Sequence, residues 1–172
     1  MAAYYITGIA GSGKSTIASE LRENNLNVID IDAVEGLCHW RHKETGDKAT
    51  YFTGVGKDWL DAHDRICDSS KLRKLLDDVP NSVVVVVGIA SNQEDYLQYF
   101  DQTFLLYCSE KTFLKRLNTR NEGNNFGKNK SEQEQILTWY KDFQERMINL
   151  GAIPINTEKP LGYALKKIKD SF

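Results

Sequence analysis

Nine residues, Gly8-Ile9-Ala10-Gly11-Ser12-Gly13-Lys14-Ser15-Thr16, carry the densest chemical signal in the chain. They fit G-x-x-x-x-G-K-[ST], with Gly8, Gly13, Lys14 and Ser15 in the defining positions. Glycines let backbone N–H groups turn inward around an anion, and a helix starting at the loop adds the positive end of its dipole. Gly11, Ser12, Gly13, Lys14, Ser15 and Thr16 are therefore the candidate phosphate contacts. Lys14 would reach the outer phosphates of a nucleotide, and Ser15 would take a place on Mg²⁺.

A second cluster, Asp30-Ile31-Asp32, closes the next strand-like segment. Ligands of open α/β sheets bind beyond the carboxyl ends of strands, the edge that also carries the glycine loop. Two residues apart on an extended segment, both carboxylates would point the same way. One would hold Mg²⁺ through water, with Asp30 the candidate. The other, Asp32, would meet an acceptor hydroxyl as its base. A helix N-cap is the alternative role for Asp32.

These residues need a scaffold, and the periodicity supplies one. Ala3 to Ile6 reads as a strand, and a helix from the loop runs to about Glu23, ended by Asn24-Asn25. Asn27 to Ile31 is a second strand, and Asp32 to Gly56 is mixed, with a small helical piece and a glycine-threonine loop. Lys57 to Asp78 reads as one helix, because Trp59, Ala62, Ile66, Leu72, Leu75 and Leu76 fall near one face. Pro80-Asn81 stops it. The valines of Ser82 to Gly88 form a strand covered on both faces. Gln102 to Tyr107 is a fourth strand, and Ser109 caps a helix to about Thr119. Residues 121–130 read as a mobile loop, with Ser131-Glu132-Gln133-Glu134 as the capping box of the next helix. Ala152 to Asn156 and Leu161 to Lys169 complete the alternation of strand and helix, which implies a mostly parallel sheet in one domain, 1–172.

Composition narrows the classes. The chain has 172 residues, 41% hydrophobic and 27% charged, with a formal charge of −2, so neither nucleic acid nor an anionic membrane is expected as a partner. Cys38, Cys67 and Cys108 lack a C-x-x-C pair and read as reduced thiols. No signal peptide or spanning segment is read, which makes a cytoplasmic monomer or weak dimer the expectation. A GTPase would need D-x-x-G, and no glycine has an aspartate three residues before it. A mechanical ATPase would need a strand closing in Asp-Glu, whereas this central strand closes in Val87-Gly88-Ile89-Ala90.

The chain resembles the small P-loop kinases of the adenylate-kinase-like group, nearest the shikimate and gluconate kinase branch. Four features carry the resemblance: the glycine loop; the D-x-D at Asp30 and Asp32; Val87-Gly88 without a Walker B aspartate; and the helix Phe113 to Arg120 leading to a short lid. Ile155 to Pro160 also looks like the loop that borders adenine in this group. The resemblance implies a three-layer fold: a five-stranded parallel sheet, helices on both faces and a lid at about 121–130. It implies ATP and Mg²⁺ as cofactors, and phosphoryl transfer to a small-molecule acceptor, with a hydroxyl as the expected receiving group. Arg120 and Arg116, four apart on one helix, would then meet the phosphates. The segment 33–78 would cover the acceptor, with Trp40, Arg41 and Gly88 as contacts beside Asp32. The chain departs from the branch in two places. Gly88-Ile89-Ala90-Ser91-Asn92 replaces the triple glycine of shikimate kinases, and the D-G-[FY]-P-R of nucleotide kinases is absent. A nucleoside or nucleoside monophosphate kinase, or a nucleotide-binding regulator with weak ATPase activity, are the other readings.

Overall fold

The computed structural model describes residues 2–79, 82–120 and 125–172. At its centre lies β1 (Ala2–Thr7), the strand that delivers the glycine loop. On one side it pairs with β6 (Val83–Val87), which pairs in turn with β2 (Asn27–Asp30). On the other it pairs with β7 (Gln102–Tyr107), which pairs with β8 (Ile153–Asn156). All four pairings are parallel, giving the order β2-β6-β1-β7-β8.

Period two along β6 explains why valine occupies every position. Val84 and Val86 enter one core with Tyr5, Ile31, Leu72 and Tyr96, while Val85 and Val87 enter the opposite one with Ile6, Ile17, Leu21 and Ile168. Helices α1 (Lys14–Glu23) and α6 (Leu161–Lys169) supply the second core. A third gathers over β7 between α4 (Glu110–Thr119) and α5 (Lys130–Asn149), around Phe113, Leu117, Ile136 and Tyr140. These are the five parallel strands and flanking helices that the motifs imply. Among the described residues, no helix is long and apolar enough to cross a membrane.

The segment before β6 differs from its sequence reading. Lys57 to Asp78 is not one helix but α2 (Lys57–Ala62), then β5 (His63–Cys67), then α3 (Ser69–Asp77). β5 pairs antiparallel with β3 (Cys38–His42), which also pairs with the short β4 (Lys48–Ala49). This second sheet, β4-β3-β5, occupies the region read as mixed. The helical spacing of the apolar residues is real, but pairing with β3 overrides it for five residues. Asp68 then restarts the helix as an N-cap, its side chain accepting from the Lys71 N–H at 3.0 Å. The expected helical piece after Asp32 is a run of turns.

The capping residue of α5 is Asn129, two positions before the expected box, and it accepts from the Glu132 N–H at 2.9 Å. The predicted stop at Pro80-Asn81 and the first four residues of the expected lid, 121–124, lie outside the described residues.

Candidate active site

The glycine loop leaves β1 and runs directly into α1, whose first residue is Lys14. Its shape depends on glycine: Gly11 has φ +80°, and a Cβ there would lie 2.9 Å from the Phe113 carbonyl oxygen. Lys14 folds over the loop, its ammonium donating to the carbonyls of Gly8 (2.5 Å) and Ile9 (2.9 Å). Burial lowers its pKa to about 8, opposed by the nearby carboxylates of Asp32 and Asp30 and reinforced by Arg120. The Ser12 hydroxyl is buried without a partner, and so is Nε of Arg120. Unpaired buried donors beside a desolvated lysine suit an anion, and nucleotide phosphates fit that description. The Ser15 hydroxyl opens onto the cleft, in the position from which it would join Mg²⁺.

Two arginines of α4 meet the loop differently. Arg116 is a staple: it donates to Gly11 O at 3.3 Å, to Thr157 Oγ1 at 2.9 Å and to Thr157 O at 2.7 Å. Its forks are used on protein acceptors, although it lines the cleft. Arg120, at the end of α4, donates to the Phe126 carbonyl at 2.7 Å and keeps its Nε–H unpaired. Of the two, Arg120 is the one with free donor capacity at the cleft.

The D-x-D cluster is not extended. The Asp32 N–H donates to Asp30 Oδ1 at 2.9 Å and the Ala33 N–H to Asp30 O at 3.0 Å, so the chain turns at Asp30. Asp30 braces the turn and stays within electrostatic reach of Lys14, whereas Asp32 lines the cleft. Nor does Asp32 cap a helix: it is paired with Arg65 of β5, Nη2 to Oδ1 2.5 Å. Arg65 went unnoticed in the sequence because the helical reading hid its strand.

The cleft holds about 960 Å³ and runs from the glycine loop to the second sheet and α5. Trp40 belongs to its far wall, stacked on Tyr51 with centroids 5.7 Å apart and planes at 20°, and touching Phe126 at 6.1 Å. Trp139 and Asp142 of α5 complete that wall.

Arg41 does not join it. In β3, neighbours alternate between faces; Trp40 lines the cleft while Arg41 is exposed outside it, so the expected contact falls to Arg65, the register partner of Trp40. Gly88 is also displaced from the role expected of it. A Cβ there would lie 2.2 Å from Ile31 Cγ1, so glycine is needed for packing, and the cleft is reached instead by Ile89, Ala90 and Ser91.

One residue the sequence reading used only as a cap proves to be central. Glu132 is fully buried, accepting from the Tyr51 hydroxyl and from the Gly127 N–H (2.7 Å). Its charge also offsets the burial that lowers the Arg120 pKa. Desolvation, and then Glu132, push the Tyr51 phenol upward. The described part of the expected lid, 125–130, whose last residue already opens α5, is thus tied to the aromatic wall by one carboxylate.

Residues 5–137 match the protein family described as an AAA domain. Among solved structures, the chain is similar to a deoxyadenosine kinase from M. mycoides with bound dATP, at 15% identity and a TM-score of 0.56, with 98% of each chain covered. It is similar to TT1252 from Thermus thermophilus at 16% identity and a TM-score of 0.59, covering 99% of this chain and 97% of that one. It is also similar to shikimate kinase from Bacteroides thetaiotaomicron, at 14% identity and a TM-score of 0.56, again covering 99% and 97%. At such identities the likeness is one of fold, which is that of P-loop kinases. No curated protein matches the chain.

Proposed function

The chain belongs to the AAA-domain family, and from that premise we propose that it is an ATP-dependent phosphotransferase acting on a hydroxyl of a small molecule. The observation that carries this reading is the cleft itself. It continues past the glycine loop to an aromatic wall, with Asp32 between the two. A hydrolase needs room only for nucleotide and water. β6 also ends at Val87 and is followed by Gly88-Ile89-Ala90 with no carboxylate, which favours transfer over hydrolysis.

In this reading, Lys14 and the N–H groups of Gly11 and of Gly13 to Thr16 bind the phosphates of ATP, while the Ser12 N–H braces the loop on the Ile9 carbonyl. Lys14 and Arg120 stabilise the charge that spreads over the moving phosphoryl group. Asp32, positioned by its pairing with Arg65, orients the acceptor hydroxyl and takes its proton. Mg²⁺, held by Ser15 and through water by Asp30, would supply charge neutralisation at the phosphates. Trp40 and Tyr51 form the surface against which the acceptor rests and from which water is displaced.

The aromatic wall favours an acceptor with a planar ring, which makes a nucleoside the second reading. The test is ADP release from ATP across a panel of polyols, hydroxy acids and nucleosides. ADP formation that appears only with one acceptor class supports transfer and names the class. ADP formed at the same rate without any acceptor would sink the proposal in favour of a weak ATPase.

A further inference from the structure

Cys38 and Cys67 face each other across the β3–β5 ladder, and both are free thiols. The kind of pair they form follows from the ladder's two ends. The Asp68 N–H donates to Leu37 O at 2.9 Å, and the Lys43 N–H to Ala62 O at 2.9 Å. Hydrogen-bonded and non-hydrogen-bonded pairs alternate along an antiparallel ladder. Counting inward from either end, Cys38 and Cys67 are a non-hydrogen-bonded pair, as are Trp40 and Arg65. Such pairs bring Cα atoms to about 4.5 Å and their side chains together. That spacing lies at the short end of the roughly 4.4–6.8 Å that a disulfide spans.

The surroundings divide the two thiols by role. Cys67 is buried in the core beside Leu37 and Leu72, whereas Cys38 is half-buried. A hydrogen bond from Cys67 draws the Cys38 pKa down, with Arg65 acting in the same sense against burial and Asp32; the Cys67 thiol is pushed up. Cys108 stands apart from this pair, under the glycine loop, its sulfur 4.0 Å from the Gly11 carbonyl and hydrogen-bonded with the Thr157 side chain.

We propose that Cys38 and Cys67 are a reversible redox pair, in which Cys38 reacts with a hydroperoxide and Cys67 resolves the product. The Cys38 thiolate attacks the peroxide oxygen. The O–O bond breaks, one molecule of water or alcohol leaves after protonation, and Cys38 becomes a sulfenic acid. The Cys67 sulfur then attacks the Cys38 sulfur, the S–O bond breaks, and its oxygen leaves as water with the Cys67 proton. The two thiols lose two electrons and two protons, and the peroxide takes up both to give water together with a second water or an alcohol. Dithiol reductants reverse the bridge by exchange. Resting on the function proposed above, the bridge would clamp the second sheet one non-hydrogen-bonded step from the Trp40–Arg65 pair, on the acceptor side of the cleft.

The test treats the reduced full chain with hydrogen peroxide, blocks remaining thiols and maps non-reduced peptides by mass spectrometry. It needs neither nucleotide nor acceptor, so its outcome is separate from that of the kinase assay. The expected result is a Cys38–Cys67 linked peptide lacking two hydrogens, restored by dithiothreitol, with Cys108 blocked throughout. Cys38→Ser should leave Cys67 unoxidised under the same exposure. Cys38 accumulating as sulfinic acid beside a free Cys67 thiol, a bridge to another molecule, or no oxidation of either cysteine would each overturn the proposal.

Discussion

The near wall of the cleft is mainly backbone, and the far wall is side chain. At the glycine loop, N–H groups and one lysine are aimed by a strand, a tight turn and a helix that follow each other within twenty-three residues. At the far wall, Trp40, Tyr51, Arg65 and Trp139 come from four separate places in the chain. The near wall is shaped chiefly by adjacent elements, with Arg116 and Thr157 pinning its Gly11 and Ser12 carbonyls, and it suits a ligand part common to every turnover, the triphosphate. The far wall is fixed by tertiary pairing and can change its surface without disturbing the loop. That division separates the residues that set chemistry from those that set acceptor choice.

The sharpest way to break this contrast is at Asp32, which stands between the walls. Asp32→Asn keeps the side-chain size but removes the base; acceptor-dependent turnover should fall about 10²–10⁴-fold. ATP affinity should stay near its original value, since Asp32 is not part of the loop. Equal losses in both would show that the walls are not independent. Lys14→Ala acts on the near wall alone, and a loss of roughly 10²–10³-fold in turnover is expected with the fold intact. Circular dichroism beside the kinetic assay checks both halves of that statement.

Glu132 tests whether the far wall is held as described. Glu132→Ala leaves the Gly127 N–H buried without its acceptor, at about 1–3 kcal/mol, and also frees the half-buried Tyr51 hydroxyl, at a smaller cost. Denaturant unfolding should show the loss, and Tyr51→Phe should show a smaller one. If Glu132→Ala unfolds at the original midpoint, the carboxylate is not the tie between lid base and wall.

A subtler effect concerns protons. Lys14 titrates near the usual 10.5 when unfolded and at about 8 in the nucleotide-free fold. Below about 8 both states are charged and burial penalises the fold in full. As pH rises from there towards 10.5 the unfolded chain holds more protons, so the nucleotide-free protein gains stability. Phosphate restores the charge, so ATP binding well above pH 8 should take up a proton, and at neutral pH Lys14 should contribute none. Calorimetry in buffers of different ionisation enthalpy reads the difference. The smallest effect belongs to Arg41: Arg41→Ala, on the outer face of β3, should change stability and turnover within about ±0.5 kcal/mol. A large loss of acceptor affinity there would reverse the face assignment.

How much of this was legible follows the same divide. The glycine loop, the valine strand, β7 and the Ser109 cap announce themselves by local residues, and Ser109 does accept from the Thr112 N–H. β5 does not, because its Ile66 also satisfies a helical stripe and only β3 makes it a strand. The choice between Arg41 and Arg65 is a matter of register, set by a pairing across some twenty residues of intervening chain. Asp68 followed by two serines was a visible cap signal that a helix restarts there. For Glu132 the local sequence shows only a capping glutamate; its burial depends on Tyr51, 81 positions away.

Arg116 gives the near wall a history as well as a shape. It joins Gly11 to Thr157, and the Thr157 hydroxyl itself donates to the Ser12 carbonyl, 145 positions earlier, at 2.8 Å. During synthesis β1 and α1 are made first, yet the loop between them cannot take its final form until β8 has emerged and docked. Until then Ser12 and Gly11 lack the partners that hold their carbonyls. Nucleotide binding should therefore come late in folding, as the last-made strand closes on the first-made motif.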